Sequence, residues 1–151
     1  MMKAIARSML IAAMMAVALT QVGARSASAQ AVDPRFQSAL LNLYYARWML
    51  THTSAVRANY YSYRAGLSAI YQAIRNLNGI INVPSYRYAV PQYVPPGGPR
   101  LRAALGFLQN ADSNLGTPSP VPRWDAFRNA SLGDTRAAIG NVNNVLAACH
   151  C

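Results

Sequence analysis

The chain has 151 residues, and only 12% of them are charged. After residue 29 it carries eleven Arg against four Asp, with two His, no Lys and no Glu. Acid–base catalysis needs two titratable groups held close together, so this small inventory argues against an enzyme.

Residues 1–29 have the three parts of a secretory signal peptide. Lys3 and Arg7 form a basic start, residues 9–19 are uniformly apolar, and Ala27-Ser28-Ala29 matches a cleavage site. A membrane span needs about 20 apolar residues, which is more than this run supplies. We expect cleavage before Gln30, with Val32 as the second choice. The sequence therefore predicts an exported protein, periplasmic or extracellular, without a transmembrane anchor after cleavage.

The remaining residues, 30–151, contain one helical pattern twice, at an offset of 65 positions. Residues 39–50 match 104–115 in their Ala and Leu spacing, and residues 65–81 match 130–146 without a gap. Apolar residues at this spacing indicate amphipathic helices. We predict an all-α single domain of two tandem αα-hairpins, forming a four-helix, mostly antiparallel bundle. The first hairpin spans residues 33–81, a Pro/Tyr-rich linker spans 82–98, and the second hairpin spans 99–148.

In each repeat, the first helix contains the motif Ala-Leu-x2-Leu-x2-Ala-x3-Leu. The second helix contains Ala-Ile-x2-Val/Leu-Asn in its second half. This pattern resembles small exported bacterial proteins in which such a helical hairpin occurs once, often with a Gly-Gly-His turn. Here the hairpin is duplicated and the Gly-Gly-His turn is absent from both loops. The resemblance implies the fold and the export, and no functional residue is carried over.

Helix 1 is predicted to begin at Pro34, with Asp33 as its cap, and to end near Leu50. Its core face comprises the apolar residues Phe36, Ala39, Leu40, Leu43, Ala46 and Leu50. A second face carries Leu41, Tyr45, Trp48 and His52. A helix that is apolar on two sides indicates burial on both, within a bundle or a subunit interface, and a ligand pocket is the other interpretation.

Helix 2 is predicted over residues 55–81, with Thr53 or Ser54 as its cap. Gly66 and Gly79 weaken it, and we expect them to allow close approach by a neighbouring helix. The linker contains four Pro and three Tyr, which predicts an extended segment packed along the bundle.

Helix 3 is predicted to run from Pro99 to Leu115, before Gly116, and helix 4 over residues 122–148. The core of helix 4 is predicted to comprise its large apolar residues, Trp124, Phe127, Leu132, Ile139, Val142 and Leu146.

All nine Tyr lie between Tyr44 and Tyr93, in the first hairpin and the linker. Arginines are interspersed among them, and Arg with aromatic rings can stack on a partner while contacting its anions. We predict a non-enzymatic role, structural or partner-binding, through an aromatic and Arg-bearing surface of the first hairpin. The partner is expected to be a protein or a second copy, or alternatively an anionic polymer, and not intracellular nucleic acid. The candidate contact residues are Tyr45, Trp48, His52, Tyr60, Tyr63 and Arg64.

The chain ends in Cys149-His150-Cys151. In an oxidising compartment the two Cys are expected to form a local disulfide or an intermolecular bridge. A soft-metal site is a further alternative, because thiolate and imidazole are good ligands for zinc or copper. We expect no cofactor; the alternative is a carrier that binds a metal or haem through Tyr, His52 or this tail.

Overall fold

A computed structural model describes residues 32–54, 57, 59–81, 83–93 and 99–149. This part of the chain contains four α-helices and no strand: α1 Pro34–Thr51, α2 Tyr60–Asn78, α3 Pro99–Gly116 and α4 Asp125–Cys149. Two 3-10 helices, Pro84–Tyr88 and Pro122–Trp124, precede α3 and α4. The predicted all-α bundle of two hairpins is confirmed. The predicted signal peptide lies outside the described residues.

The duplication extends to the ends of the helices. α1 and α3 are both 18 residues long, and Pro34 and Pro99 start them at the same repeat position. α2 and α4 also begin at equivalent positions, Tyr60 and Asp125. α4 has 25 residues and α2 has 19, so the second repeat ends in a longer helix.

The most extensive helix packing occurs between the repeats, where α1 packs on α3 and α2 packs on α4. Both pairs are antiparallel. Arg35, in the first turn of α1, donates a hydrogen bond to the carbonyl of Pro118 just beyond α3. Its repeat counterpart Arg100, in the first turn of α3, donates to the carbonyl of His52 just beyond α1. Each hairpin therefore buries its apolar face mainly against the other hairpin.

The core lies along these two helix pairs, and burying apolar surface there supplies the main stabilisation. The whole predicted core face of α1 is buried, from Phe36 to Leu50, together with Tyr44 and Met49. α3 contributes the equivalent side chains, Leu101, Ala104, Leu108, Ala111 and Leu115.

α2 and α4 cross at small residues. A Cβ on Gly66 would lie 3.2 Å from the Cβ of Asn141 and 3.8 Å from the carbonyl oxygen of Ala138. Ser131, the repeat counterpart of Gly66, donates its hydroxyl to the carbonyl of Ala73 at 3.1 Å. Ala73 is in turn the counterpart of Ala138. The crossing therefore places the Gly66 or Ser131 position of each helix against the Ala138 or Ala73 position of the other. The predicted close approach at Gly66 is confirmed.

The predicted core of α4 is partly confirmed, because five of its six residues are buried or pack against the core, and it is wrong for Phe127, which is exposed. Its buried residues are Arg128, Ser131, Thr135, Ala138, Val142 and Val145, and only Val142 was expected. Phe127 is 44% exposed, while Trp124, Leu132, Ile139 and Leu146 are partly buried. The reason is the close crossing with α2, which leaves room for small side chains on the face that points inward.

The start of α2 and the linker also differ from the predictions. α2 begins at Tyr60, five residues later than expected, because the side chain of Asn59 caps it by accepting from the Ser62 amide at 3.1 Å. In the linker, residues 84–88 form a 3-10 helix, since Pro84 suits the first position of a helical turn. Tyr86 packs against the core and Pro91 is buried, whereas Tyr88 and Tyr93 are exposed.

Candidate functional site

The side chain of Arg47 lies between two tyrosine rings on the first hairpin. Its guanidinium carbon is 4.7 Å from the ring centre of Tyr44 and 5.8 Å from that of Tyr71. Its Nη2 also donates to the backbone carbonyl of Arg87 in the linker at 2.9 Å. Cation–π contacts of this kind attract a guanidinium to the ring faces but supply no counter-charge. Arg47 is therefore a fixed positive charge where α1, α2 and the linker meet.

A second arginine–tyrosine pair lies at the start of α2. The guanidinium of Arg64 is 5.7 Å from the ring centre of Tyr60, which is 51% exposed. Arg64 and Tyr71 border a shallow hollow of about 210 Å³ with Leu67 and Ser68 between them. The hollow joins this pair to the Tyr71–Arg47 pair. We refer to Arg47, Tyr60, Arg64 and Tyr71 as the Arg–Tyr surface.

The second repeat uses the same positions differently. Asp112 is the counterpart of Arg47, and Arg136 is the counterpart of Tyr71. Nε of Arg136 donates to Oδ1 of Asp112 at 2.8 Å, which makes an ion pair across α3 and α4. At this equivalent position the first repeat joins its helices by a cation–π contact, and the second repeat joins them by an ion pair. In the second the arginine is neutralised, and in the first it is not.

No carboxylate side chain occurs between residues 34 and 98, which include six Arg. Asp33, just before this stretch, is already committed to Arg35, whose Nε lies 3.0 Å from its Oδ1. The hydrogen bonds from Arg35 lower the pKa of Asp33 from 3.8. The other three Asp lie in the second hairpin. The charged side chains of the first hairpin after Asp33 are thus all positive. In the described part of the chain, no carboxylate forms an ion pair with an arginine of the Arg–Tyr surface.

The six predicted contact residues fall into two groups. Tyr45 and Trp48 lie on α1, and His52 lies just beyond its end. The ring of Tyr45 is half-buried against Phe107 of α3, with ring centres 5.2 Å apart. Trp48 stacks on the exposed His52 at 4.0 Å, and Nδ1 of His52 contacts the Trp48 carbonyl oxygen at 2.8 Å. Tyr45 therefore belongs mainly to the interface between the repeats.

Tyr60, Tyr63 and Arg64 form the second group, on the first turn of α2. Tyr63 is half-buried and donates its hydroxyl to the carbonyl of Leu50 at 3.3 Å, so its role is to join α1 and α2. Burial, followed by the neighbouring Tyr71 and Tyr60, raises the pKa of Tyr63 above 10.0. Tyr60 and Arg64 remain available at the surface.

Arg47 and Tyr71 are absent from the predicted contact set, although they are central to the Arg–Tyr surface. They can be identified by comparing the charges, and not only the apolar residues, at positions 65 residues apart. Position 47 aligns with Asp112 and position 71 with Arg136, an opposite-charge pair in one repeat and Arg with Tyr in the other.

The predicted tail site lies largely beyond the described residues. Cys149 is disulfide-bonded, and His150 and Cys151 are outside the described part. Among the described residues, no three His, Cys, Asp or Glu side chains come close enough together to hold a metal ion. Within the same part of the chain, no helix is long and apolar enough to cross a bilayer.

Compared with protein-family models, curated proteins and solved structures, the chain has no significant match in any of the three.

Proposed function

We propose that this protein is an exported, non-catalytic binding protein that uses the Arg–Tyr surface to hold an acidic partner. The observation that carries the proposal is Arg47, which two tyrosine rings hold in place without a carboxylate. Arg64 extends this arrangement along α2, beside the exposed ring of Tyr60. Pre-organised arginines lose little conformational entropy on binding, which favours carboxylate recognition.

The partner class we favour is a protein with an acidic surface. Tyr and Arg are enriched at the centres of protein interfaces, where they supply most of the binding energy. The Arg–Tyr surface offers both residue types around a shallow hollow of about 210 Å³, which suits a protruding side chain of a partner. The basic and apolar start of the sequence, which resembles a signal peptide, supports export.

The test compares two double variants that remove the same charge. Arg47→Gln with Arg64→Gln changes the Arg–Tyr surface, whereas Arg102→Gln with Arg123→Gln changes the second hairpin. Immobilised polyglutamate serves as the acidic polypeptide, and binding is measured over a range of salt concentrations. We expect the first variant to bind at least about tenfold more weakly, since two arginine contacts are lost, and the second to bind within about twofold of the parent.

Circular dichroism checks that both variants keep the parent helix content. Equal losses in the two variants would mean that only net charge matters, and the proposal would be wrong. Heparin provides the other arm of the experiment. Tighter binding to heparin than to polyglutamate, with a steep linear dependence on the logarithm of salt concentration, would replace the protein partner by an anionic polymer.

A further inference from the structure

A cleft of about 400 Å³ opens on the other side of α1 and shares no residue with the Arg–Tyr surface. One wall is Met49 of α1, the second consists of Gly106 and Phe107 of α3, and the third is the linker at Pro91 and Tyr93. Its volume lies in the range of small-molecule sites. Three separate segments of the chain thus enclose one concave space.

Gly106, in the middle of α3, borders the cleft. A Cβ on Gly106 would meet nothing within 4 Å, so helix packing does not require a glycine there. Glycine in a helix interior is less stable than alanine. At Gly106 this loss of stability is not explained by close packing of a neighbouring helix. The repeat counterpart of Gly106 is Leu41. The second repeat therefore leaves open a space where the first repeat has a leucine.

The lining is apolar and partly aromatic. The ring of Phe107 is held by its tilted contact with Tyr45, with ring centres 5.2 Å apart, and Met49 is 1% exposed. Tyr93 is 74% exposed at the rim. Among the described residues that line it, the only polar side chains apart from the Tyr93 hydroxyl are the amides of Gln92 and Asn110, and none of these residues is charged. Such a site favours a ring system with one uncharged hydrogen-bonding group.

We propose that this cleft binds a small, uncharged, ring-containing molecule. The ring lies between Met49, Phe107 and Tyr93, and its polar group is within the reach of the amides at the mouth. The site does not depend on the proposed function, because its ligand carries no charge and none of the described residues that line it is an arginine. The protein would then hold a small molecule and an acidic partner on separate surfaces.

Fluorescence titration of the full chain with N-phenyl-1-naphthylamine, a neutral probe that joins a naphthyl and a phenyl group, tests the proposal. Gly106→Leu fills the cleft with the residue that the first repeat carries. The matched control is Gly140→Leu, in α4, where a Cβ also meets nothing within 4 Å and which does not line the cleft. We expect Gly106→Leu to raise the dissociation constant at least tenfold and Gly140→Leu to change it less than twofold.

A second measurement locates the probe. Met49 is the only methionine after Met15, so its ¹³C-labelled methyl group, assigned with Met49→Leu, reports on this wall. We expect its resonance to shift on titration. Phe107→Asn, which installs the first-repeat residue at that position, should also weaken binding and serves if Gly106→Leu does not fold. Absence of binding by the parent, an unmoved Met49 resonance or unchanged affinity in both variants would overturn the proposal.

Discussion

Tyr63 and Arg128 occupy the same position in the two repeats, and each donates a hydrogen bond to the repeat-equivalent carbonyl of the preceding helix. The hydroxyl of Tyr63 lies 3.3 Å from the oxygen of Leu50, and Nη1 of Arg128 lies 2.7 Å from the oxygen of Leu115. Two chemically different side chains thus satisfy the last turn of α1 and of α3. The equivalent backbone carbonyl needs a hydrogen-bond donor in both repeats, and a different side chain supplies that donor in each.

The two donors are expected to differ in strength. Tyr63→Phe removes a neutral hydrogen bond, and we expect a loss of about 0.5–1.5 kcal/mol in the free energy of unfolding. Arg128→Met removes a charge-assisted bond from a buried side chain and also the contact with Asp125 at 2.9 Å, so we expect about 2–4 kcal/mol. Urea unfolding of both variants measures the difference, and equal losses would contradict this interpretation.

The α2–α4 crossing is expected to tolerate no large side chain. Gly66→Leu should destabilise the protein by about 1–3 kcal/mol or more, because its Cβ alone would lie 3.2 Å from Asn141. Gly133→Ala is the control, since a Cβ there meets nothing within 4 Å. It should stabilise α4 by up to about 1 kcal/mol. Thermal unfolding measures both changes, and a neutral Gly66→Leu would mean that the two helices can separate without cost.

The interhelical contact at positions 47 and 71 should be exchangeable between the repeats. Arg47→Asp with Tyr71→Arg installs the ion pair that Asp112 and Arg136 form in the second repeat. Each single change removes the cation–π contact between positions 47 and 71, and the double change supplies an ion pair between the same positions. A double-mutant cycle in urea should give a favourable coupling of about 0.5–1 kcal/mol. A coupling of zero would mean that the two sites are not geometrically equivalent.

Stability should respond to pH through Asp134. Burial raises the pKa of Asp134 above 3.8, against the effect of the hydrogen bond from Asn76. Because the folded pKa is the higher one, ionisation is less favourable in the folded state, and stability is lost as pH rises through this range. Asp134→Asn should therefore be more stable than the parent at pH 7, and the difference should vanish below about pH 3.

Chemical unfolding of Asp134→Asn at pH 3 and pH 7 makes the comparison. Asp125 behaves oppositely, since the amide of Ser119 and then Arg128 lower its pKa from 3.8. Asp125→Asn is therefore expected to lose stability near neutral pH and not in acid. An advantage of Asp134→Asn that persists at pH 3 would come from packing and would contradict the electrostatic explanation.

Much of the fold follows from local chemistry and is therefore readable in the sequence. The Asp33-Pro34 start, the end of α3 at Gly116 and the apolar stripe from Phe36 to Leu50 depend on capping and helical periodicity, which act within one helix. The 65-residue offset predicts equivalent helices, and α1 and α3 indeed start and end at equivalent positions. The start of α2 was missed because the side chain of Asn59, and not Thr53 or Ser54, makes the cap.

Only the tertiary structure decides which surfaces meet. The inward face of α4 carries Ser131, Thr135 and Ala138, and periodicity favours the larger apolar residues because it contains no information on how near α2 comes. The position of Arg47 over Tyr71 and the cleft beside Gly106 likewise join segments far apart in the chain. The sequence by itself determined the helices and their duplication, because these depend on neighbours along the chain. The candidate sites depend on the distance between helices, which arises only when the two repeats pack.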